Sequence, residues 1–171
     1  MKKMLATAAI ALCAVMAQAA AIAWNANTIT TDGSTKIASA NLTGYLFDAT
    51  TSLDDAIAAI NAGGDTLSAL QIGNTGASAA AGVISGAGAA TDAYAANETP
   101  SFYAIIIDTS TDKYIQTATK QVTIKATGTT TVSFASQASN TNWQPVAVPE
   151  PTTVALLALG LAAIGLKRKV A

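Results

Sequence analysis

The chain has 171 residues, which is room for one domain, and targeting segments at its ends would make that domain smaller. It contains no histidine and one cysteine, so His-dependent catalytic triads and the common zinc sites are excluded. Residues 24–148 carry four lysines, no arginine and nine acidic residues, a net charge of −5. Phosphate contacts need clustered Lys and Arg, so nucleic acid is not expected as a partner.

The first residues have the three parts of a secretory signal peptide. Two lysines form a basic start, Met4–Ala17 is an apolar run, and small residues follow in the A-x-A pattern that signal peptidase accepts. Three frames fit this pattern, and they end at Ala19, Ala21 and Ala23. The frame from Ala17 to Ala19 follows the apolar run directly, so residues 1–19 are predicted to form a signal helix that is cut after Ala19.

Cys13 lies inside the apolar run. A lipoprotein signal also ends in a cysteine, but that cysteine normally follows a small residue, whereas Leu12 precedes this one. We therefore expect no lipidation, and a mature chain that has neither a disulfide nor a thiol nucleophile.

The body begins with two predicted strands and one predicted helix. The strands are AIAWNANTIT and NLTGYLFDA, because β-branched and aromatic residues fit a pleated surface. The helix begins after Ser52, with Asp55 three residues later in a variant of the capping box, and Gly63-Gly64 ends it. One face of this helix is apolar and carries Leu53, Ala56, Ile57 and Ile60.

The middle of the body is harder to assign. Residues 74–100 are rich in Ala and Gly, with scattered Val83, Ile84 and Tyr94. Their periodicity leaves open whether this stretch forms weak strands or an irregular loop.

The second half of the body favours extended structure. The clearest strand is Phe102–Ile107, which is continuously apolar. The polar stretch DTSTDK after it predicts a hairpin loop, since Asp and Ser side chains can bond their own backbone. The next run, KYIQTATKQVTIK, alternates in its second half and places Val122 and Ile124 on one face. TTVSFAS predicts a further strand, with Val132 and Phe134 on one face.

Together these elements predict a mainly β domain over residues 20–145, rich in Thr, Ser and Ala. We expect a small β-sandwich or meander with one short helix. The core should be small and padded with Ala, because large apolar side chains are few for this length.

No group of residues predicts catalysis. Paired carboxylates could support glycoside hydrolysis, but nothing marks two acids of the body as a pair. Asp108, Ser110 and Asp112 have the spacing of the first three ligands of a calcium loop, yet Lys113 stands where such a loop needs glycine. We therefore predict no enzyme activity, no metal site and no cofactor.

The aromatic residues leave a role in carbohydrate binding open. Trp24, Trp143 and the tyrosines could stack on sugar rings, although Tyr45 and Tyr103 lie in apolar strands and are expected to fill the core. The two tryptophans flank the body, so they are expected to meet where the first and last strands pair.

The end of the chain has three parts. Pro149, Glu150 and Pro151 form a stiff, extended tripeptide, because Pro restricts its own backbone and that of the residue before it. Val154–Leu166 is apolar on every face, which predicts a transmembrane helix over 154–166, about 20 Å long. A basic cluster follows, formed by Lys167, Arg168 and Lys169. The positive-inside rule keeps this cluster in the cytoplasm while the body is translocated.

The sequence VPEPTTVALLALGLAAIGLKRKVA closely resembles the PEP-CTERM sorting signal of exported bacterial proteins. The tripeptide, the apolar segment and the basic cluster are present in that order, and an N-terminal signal accompanies them. The resemblance covers the last 24 of 171 residues. It implies that exosortase, a membrane enzyme, cuts at the tripeptide, so signal peptidase and exosortase are the expected processing partners. It also implies a bacterium that makes extracellular polysaccharide, which makes such a polysaccharide a candidate partner.

Residues 146–171 are therefore predicted to be a sorting segment. The protein is expected to be non-enzymatic and exported, to be held transiently in the inner membrane, and then to reach the cell surface or extracellular matrix. Two alternatives are open. One is a single-pass membrane protein that is permanently anchored by 154–166, and the other is a carbohydrate-binding module in the exopolysaccharide.

Overall fold

The structure is a computed structural model that describes residues 20–91, 93–134 and 142–146. Its strands are β1 (Ala20–Asn27), β2 (Leu42–Asp48), β3 (Gly76–Ala80), β4 (Val83–Thr91), β5 (Ser101–Asp108), β6 (Lys113–Gln116), β7 (Lys120–Gln121), β8 (Thr129–Phe134) and β9 (Gln144–Pro145). Its helices are α1 (Leu53–Ala62) and α2 (Gly64–Leu70), and a 3-10 turn covers Ser39–Asn41. The signal helix predicted at 1–19 and the transmembrane helix predicted at 154–166 lie outside the described residues. Within the described ranges, no helix is long and apolar enough to cross a membrane.

The nine strands of the described part form one hydrogen-bonded sheet. Their order is β8-β1-β4-β3-β2-β5-β6-β9, and β7 pairs with β5. The prediction of a mainly β fold is confirmed. The strands form one sheet where a sandwich has two, and the order is not that of a meander, because neighbours such as β1 and β8 are far apart in sequence. β1 and β8 are parallel, and the other pairs are antiparallel.

The first core is built around Trp24, which is 1% exposed. Trp24 of β1 pairs with Gly86 of β4, and the next two strands carry Gly76 and Gly44, which pair with each other. A Cβ atom on Gly76 would lie 2.6 Å from Trp24 Cζ2, and one on Gly44 would lie 2.7 Å from Cη2. A Cβ atom on Gly86 would overlap the indole nitrogen. The indole therefore lies across three neighbouring strands, in space that exists only because these three residues lack side chains. We call Gly86, Gly76 and Gly44 the glycine row.

The second core lies on the other face of the sheet, between β2, β5 and the helices. Phe47 and Tyr103 stack with ring centroids 5.8 Å apart, and Ala56 and Ile57 of α1 are buried in the same cluster. Alternate residues of β5 enter the two cores, and all its residues from Phe102 to Asp108 are buried. This burial on both faces explains why the strand reads as a continuous apolar run.

The predicted capping box of α1 is confirmed. The backbone N–H of Asp55 donates to Ser52 Oγ at 3.1 Å, and Ser52 Oγ–H donates to the Asp55 carboxylate at 2.6 Å. Gly63 ends the helix with a φ of +63°, as predicted. The prediction of a single helix is wrong, because α2 begins at Gly64 immediately afterwards. Two partly buried leucines of α2 pack against the second core, which explains why the chain becomes helical again: Leu67 and Leu70.

The structure also shows the secondary structure of two segments for which the sequence pattern is ambiguous. The Ala- and Gly-rich stretch 74–100 contains β3 and β4. The alternation after β7 is confirmed, since Ile124 is fully buried and Lys125 is exposed, but Val122–Lys125 is not a strand. Its backbone instead bonds the irregular segment before β5, through Val122 N–H to Pro100 O and Ile124 N–H to Glu98 O.

Candidate functional site

The described chain ends at an edge of the sheet, three residues before the predicted sorting tripeptide. β9 pairs antiparallel with β6, and Lys113 lies opposite Pro145. The Val146 N–H donates to Asp112 O at 2.9 Å. Val146 and Asp112 are the chain neighbours of Pro145 and Lys113. Hydrogen-bonded and non-hydrogen-bonded pairs alternate along an antiparallel ladder, so Lys113–Pro145 is a non-hydrogen-bonded pair. Such a position suits proline, which has no N–H to donate.

Two side chains beside β9 anchor it to the body. Trp143 is half-buried against the first core, and its Nε1–H donates to the backbone oxygen of buried Thr30 at 3.0 Å. Val146 is half-buried against the second core. Residues 143–146 therefore pack against both cores, and we call them the clasp.

A cavity of about 170 Å³ lies beside the clasp. It is lined by Thr31, Asp108, Thr111, Lys113 and Trp143. Asp108 is 2% exposed, and its carboxylate accepts bonds from Ser110 N–H and Oγ–H and from Thr111 Oγ–H, at 2.6 to 3.0 Å. The predicted hairpin loop is thus confirmed, with its acid bonded to its own loop.

The arrangement at Asp108 differs from a calcium loop. Ser110 and Thr111 donate hydrogen bonds to the Asp108 carboxylate, and Asp112, the last residue of the turn before β6, has a φ of +51°. In the part of the chain that the structure describes, no group of three or more His, Cys, Asp or Glu residues could hold a metal ion.

The predicted processing residues themselves lie outside the described residues. They are Pro149, Glu150, Pro151, Lys167, Arg168, Lys169 and the signal peptidase positions Ala17 and Ala19. Chain length nevertheless limits one distance. Pro149 is three residues from Val146, a length of chain that can span at most about 11 Å at 3.3–3.6 Å per residue.

The start of the body lies directly after the predicted signal peptide. β1 begins at Ala20, which pairs with Thr91 of β4. Ile22, two residues later, is fully buried in the first core. The sheet therefore uses the chain from the residue that follows Ala19.

The tryptophans differ from what their sequence positions predict. Trp24 is buried under the glycine row, so it cannot stack on a sugar ring, and the possibility that it belongs to a binding platform is excluded. The first and last predicted strands do pair, since β1 lies parallel to β8, but Trp143 is not part of that pair: it lies beside β9, which pairs with β6. Tyr103 is buried and Tyr45 half-buried in the second core, as predicted. Trp143 alone of the two tryptophans is partly exposed.

The pKa values of one hydrogen-bonded pair, the carboxyl of Asp48 and the phenol of Tyr94, are shifted from their ordinary values. Tyr94 Oη–H donates to Asp48 Oδ2 at 2.6 Å, and Thr50 donates its N–H and Oγ–H to Oδ1 at 2.8 and 2.7 Å. Burial opposes ionisation of Asp48, but these hydrogen bonds outweigh it and hold the pKa of that carboxyl below its ordinary value. Burial, and next the bond to Asp48, raise the pKa of Tyr94. The pair is a weak base and a weak acid near neutral pH, and it ties the segment after β4 to β2.

The comparison with known families identifies the tail. Residues 147–169 match the family model of the PEP-CTERM protein-sorting motif, and the resemblance seen in the sequence is thereby confirmed. This motif implies an exported protein that exosortase processes. No curated protein and no solved structure matches the chain.

Proposed function

We propose that the chain is a non-enzymatic protein of the bacterial cell surface or extracellular matrix, and that exosortase cuts it at the tripeptide Pro149-Glu150-Pro151. The observation that carries the proposal is the sorting motif over residues 147–169. A folded body bears this motif at its C-terminal edge, so the body is the part that is delivered and the tail is the part that is removed.

The proposed route begins with a signal peptide over residues 1–19. Cleavage after Ala19 leaves β1 complete, whereas cleavage after Ala23 would remove buried Ile22 from the first core. N-terminal sequencing of the exported protein should therefore begin at Ala20. A sequence that begins at Trp24 would contradict this part of the proposal.

The proposed tail then holds the body briefly at the inner membrane. The apolar segment 154–166 spans the bilayer, and the basic cluster at Lys167, Arg168 and Lys169 stays in the cytoplasm. Cleavage at the tripeptide frees the body outside the membrane. A cut after Pro151 removes 20 residues, or about 2 kDa at the mean residue mass of this 17.1 kDa chain.

Intact mass of the exported protein tests this proposal against permanent anchoring. We expect a mature mass without the basic cluster, and a Glu150→Ala variant that keeps its tail and stays in the membrane fraction. A permanently anchored protein would retain the basic cluster, and Glu150→Ala would leave its location unchanged.

The proposed absence of enzyme activity is supported by the roles of the polar groups with the clearest hydrogen bonding. Asp48 is bonded by Tyr94 and Thr50, and Asp108 is bonded by its own hairpin loop. Each of these carboxylates accepts three hydrogen bonds from neighbouring groups, which is consistent with a role in the fold. Incubation of the purified body with model glycosides, esters and phosphate esters should give no turnover above that of buffer.

Binding of extracellular polysaccharide is a second candidate function, and one observation favours it. Trp143 is partly exposed beside a cavity that is also lined by Lys113 and Thr31, so an aromatic face adjoins groups that can bond sugar hydroxyls. Retention of the exported protein on the host's own polysaccharide should then fall in a Trp143→Ala variant that remains folded. Equal retention of the two proteins would remove this candidate.

A further inference from the structure

The clasp fastens the chain immediately before the site of processing. Its main-chain bond from Val146 to Asp112 and its side-chain bond from Trp143 to Thr30 leave three residues between the folded body and Glu150. With the clasp closed, the length of this connection lets Glu150 reach at most about 14 Å from Val146, at 3.3–3.6 Å per residue.

An enzyme that cuts a peptide bond holds several residues of its substrate as an extended strand, through the main chain and alternate side chains. The clasp already uses the main chain on the body side of the tripeptide for its pairing with β6. If the clasp opens, residues 143–146 are released from β6, so the main chain on the body side of the tripeptide becomes available to the enzyme and the connection to the tripeptide becomes longer.

The clasp is also built to open without unfolding the body. β9 is a two-residue strand at an end of the sheet, and its residues Gln144 and Pro145 are exposed. The cavity of about 170 Å³ beside Trp143 leaves part of that indole without packing contacts. Small, exposed elements of this kind open locally at much lower free energy than the core does.

We propose that opening of the clasp at residues 143–146 controls how fast exosortase cuts the tail. This inference rests on the proposed processing at the tripeptide. The closed clasp limits how far the tripeptide can reach from the sheet edge, and opening of the clasp removes that limit. Cleavage then follows the population of the open form, as proteolysis does when opening and closing are fast compared with cutting.

A disulfide across the clasp provides the test. Lys113 and Pro145 are both exposed and form a non-hydrogen-bonded pair, for which the Cα atoms lie about 4.5 Å apart. This separation is within the range that a disulfide accepts. The Lys113→Cys/Pro145→Cys variant has no other cysteine once residues 1–19 are removed, because Cys13 is the only one in the natural chain.

The variant that has lost residues 1–19 and still carries its tail is assayed in membranes that contain exosortase, and loss of the tail is followed by gel mobility and intact mass. The oxidised variant should be cut at least tenfold more slowly than the same protein after reduction. Each single cysteine variant should be cut at the natural rate with and without reductant. Cleavage of the oxidised variant at the rate of the reduced one would overturn the inference while leaving processing itself intact.

A loosened clasp gives the opposite result and does not depend on the disulfide. Trp143→Ala removes the bond to Thr30 and the packing on the first core, so cleavage should become several-fold faster. Ser52→Ala weakens the cap of α1 but removes neither hydrogen bond of the clasp, so it serves as the matched control and should be cut at the natural rate. Equal acceleration by both variants would overturn the inference, because general stability would then control cutting.

A Glu150→Ala variant separates failure of the inference from failure of the proposed function. It should remain uncut whether the clasp is locked or loosened. If it is cut like the natural chain, or if the natural chain is not cut, the proposed processing at the tripeptide fails and the inference fails with it.

Discussion

The glycine row makes a quantitative prediction about the first core. In a Gly76→Ala variant the new methyl carbon would lie 2.6 Å from Trp24 Cζ2 and 3.0 Å from Cη2. Carbon atoms in contact are normally about 3.5–4.0 Å apart, so either the indole or strand β3 must move by several tenths of an ångström. Neither moves easily, because Trp24 is 1% exposed and Gly76 is paired to Gly44 on β2.

Overpacking of a core typically costs about 1–3 kcal/mol, and this contact is with a rigid ring. We expect Gly76→Ala to lower the free energy of unfolding by about 2–3 kcal/mol. For a body of this size, that corresponds to a fall in Tm of about 7–11 °C. The measurement is thermal and urea unfolding of the purified mature protein, with Ala77→Ser as the control. Ala77 is exposed on the same strand, so its variant should unfold within about 2 °C of the natural protein.

A double-mutant cycle with Trp24→Phe identifies the cause. Phenylalanine lacks the part of the indole ring that contains Cζ2 and Cη2, so Gly76→Ala should cost about 1–2 kcal/mol less in that background. The Trp24→Phe change also removes a buried Nε1–H that has no hydrogen-bond partner among the described residues, which offsets part of the lost packing. The reasoning is refuted if Gly76→Ala costs less than about 0.5 kcal/mol, or if its cost is the same with Phe at position 24.

Three further predictions concern the helix cap and the tyrosines. Ser52→Ala should lower the free energy of unfolding by about 1 kcal/mol in urea, because the Asp55 N–H loses its acceptor, and an unchanged midpoint would contradict the cap. Burial, and then the charge of Asp55, raises the pKa of Tyr103 from 10.0 to about 12. Because the folded-state pKa is the higher one, the contribution of this phenol is complete below pH 10 and is lost as the pH rises towards 12. Tyr103→Phe should make unfolding less dependent on pH in that window, and an unchanged dependence would contradict the assignment. Tyr94→Phe should raise the pKa of Asp48 towards its ordinary value, as carboxyl NMR titration would measure, while an unmoved titration would show that Thr50 alone lowers it.

Local patterns in the sequence predicted a large part of the fold. β1, β2, β5 and β8 follow from runs of β-branched, aromatic or alternating residues, and α1 follows from Ser52, its apolar face and Gly63. Each of these signals is contained in about ten neighbouring residues, so it survives without knowledge of the rest of the chain. The second helix did not follow in this way, because α2 is stabilised by burial of Leu67 and Leu70 against distant residues.

The Ala- and Gly-rich stretch shows why the other parts of the fold could not be predicted from local patterns. Gly76 and Gly86 read as strand-weakening residues when they are considered alone. Their role depends on Trp24, which lies more than 50 positions earlier in sequence and reaches them only through the pairing of β1, β4 and β3. The clasp could not be predicted for the same reason, since Trp143 and Val146 are held by hydrogen bonds to Thr30 and Asp112, which are distant in sequence.

The sequence by itself therefore determined the sorting motif and the local elements of the body. Sorting enzymes read a tail as a linear order of residue types, and the order of tripeptide, apolar segment and basic cluster at 147–169 is complete in one short stretch. Only the tertiary structure decided which strands are neighbours, why Trp24 needs three glycines, and how the clasp ties the body to the edge from which the tail departs. These features depend on hydrogen-bonded and packed pairs between residues far apart in the chain, and no local pattern specifies such partners.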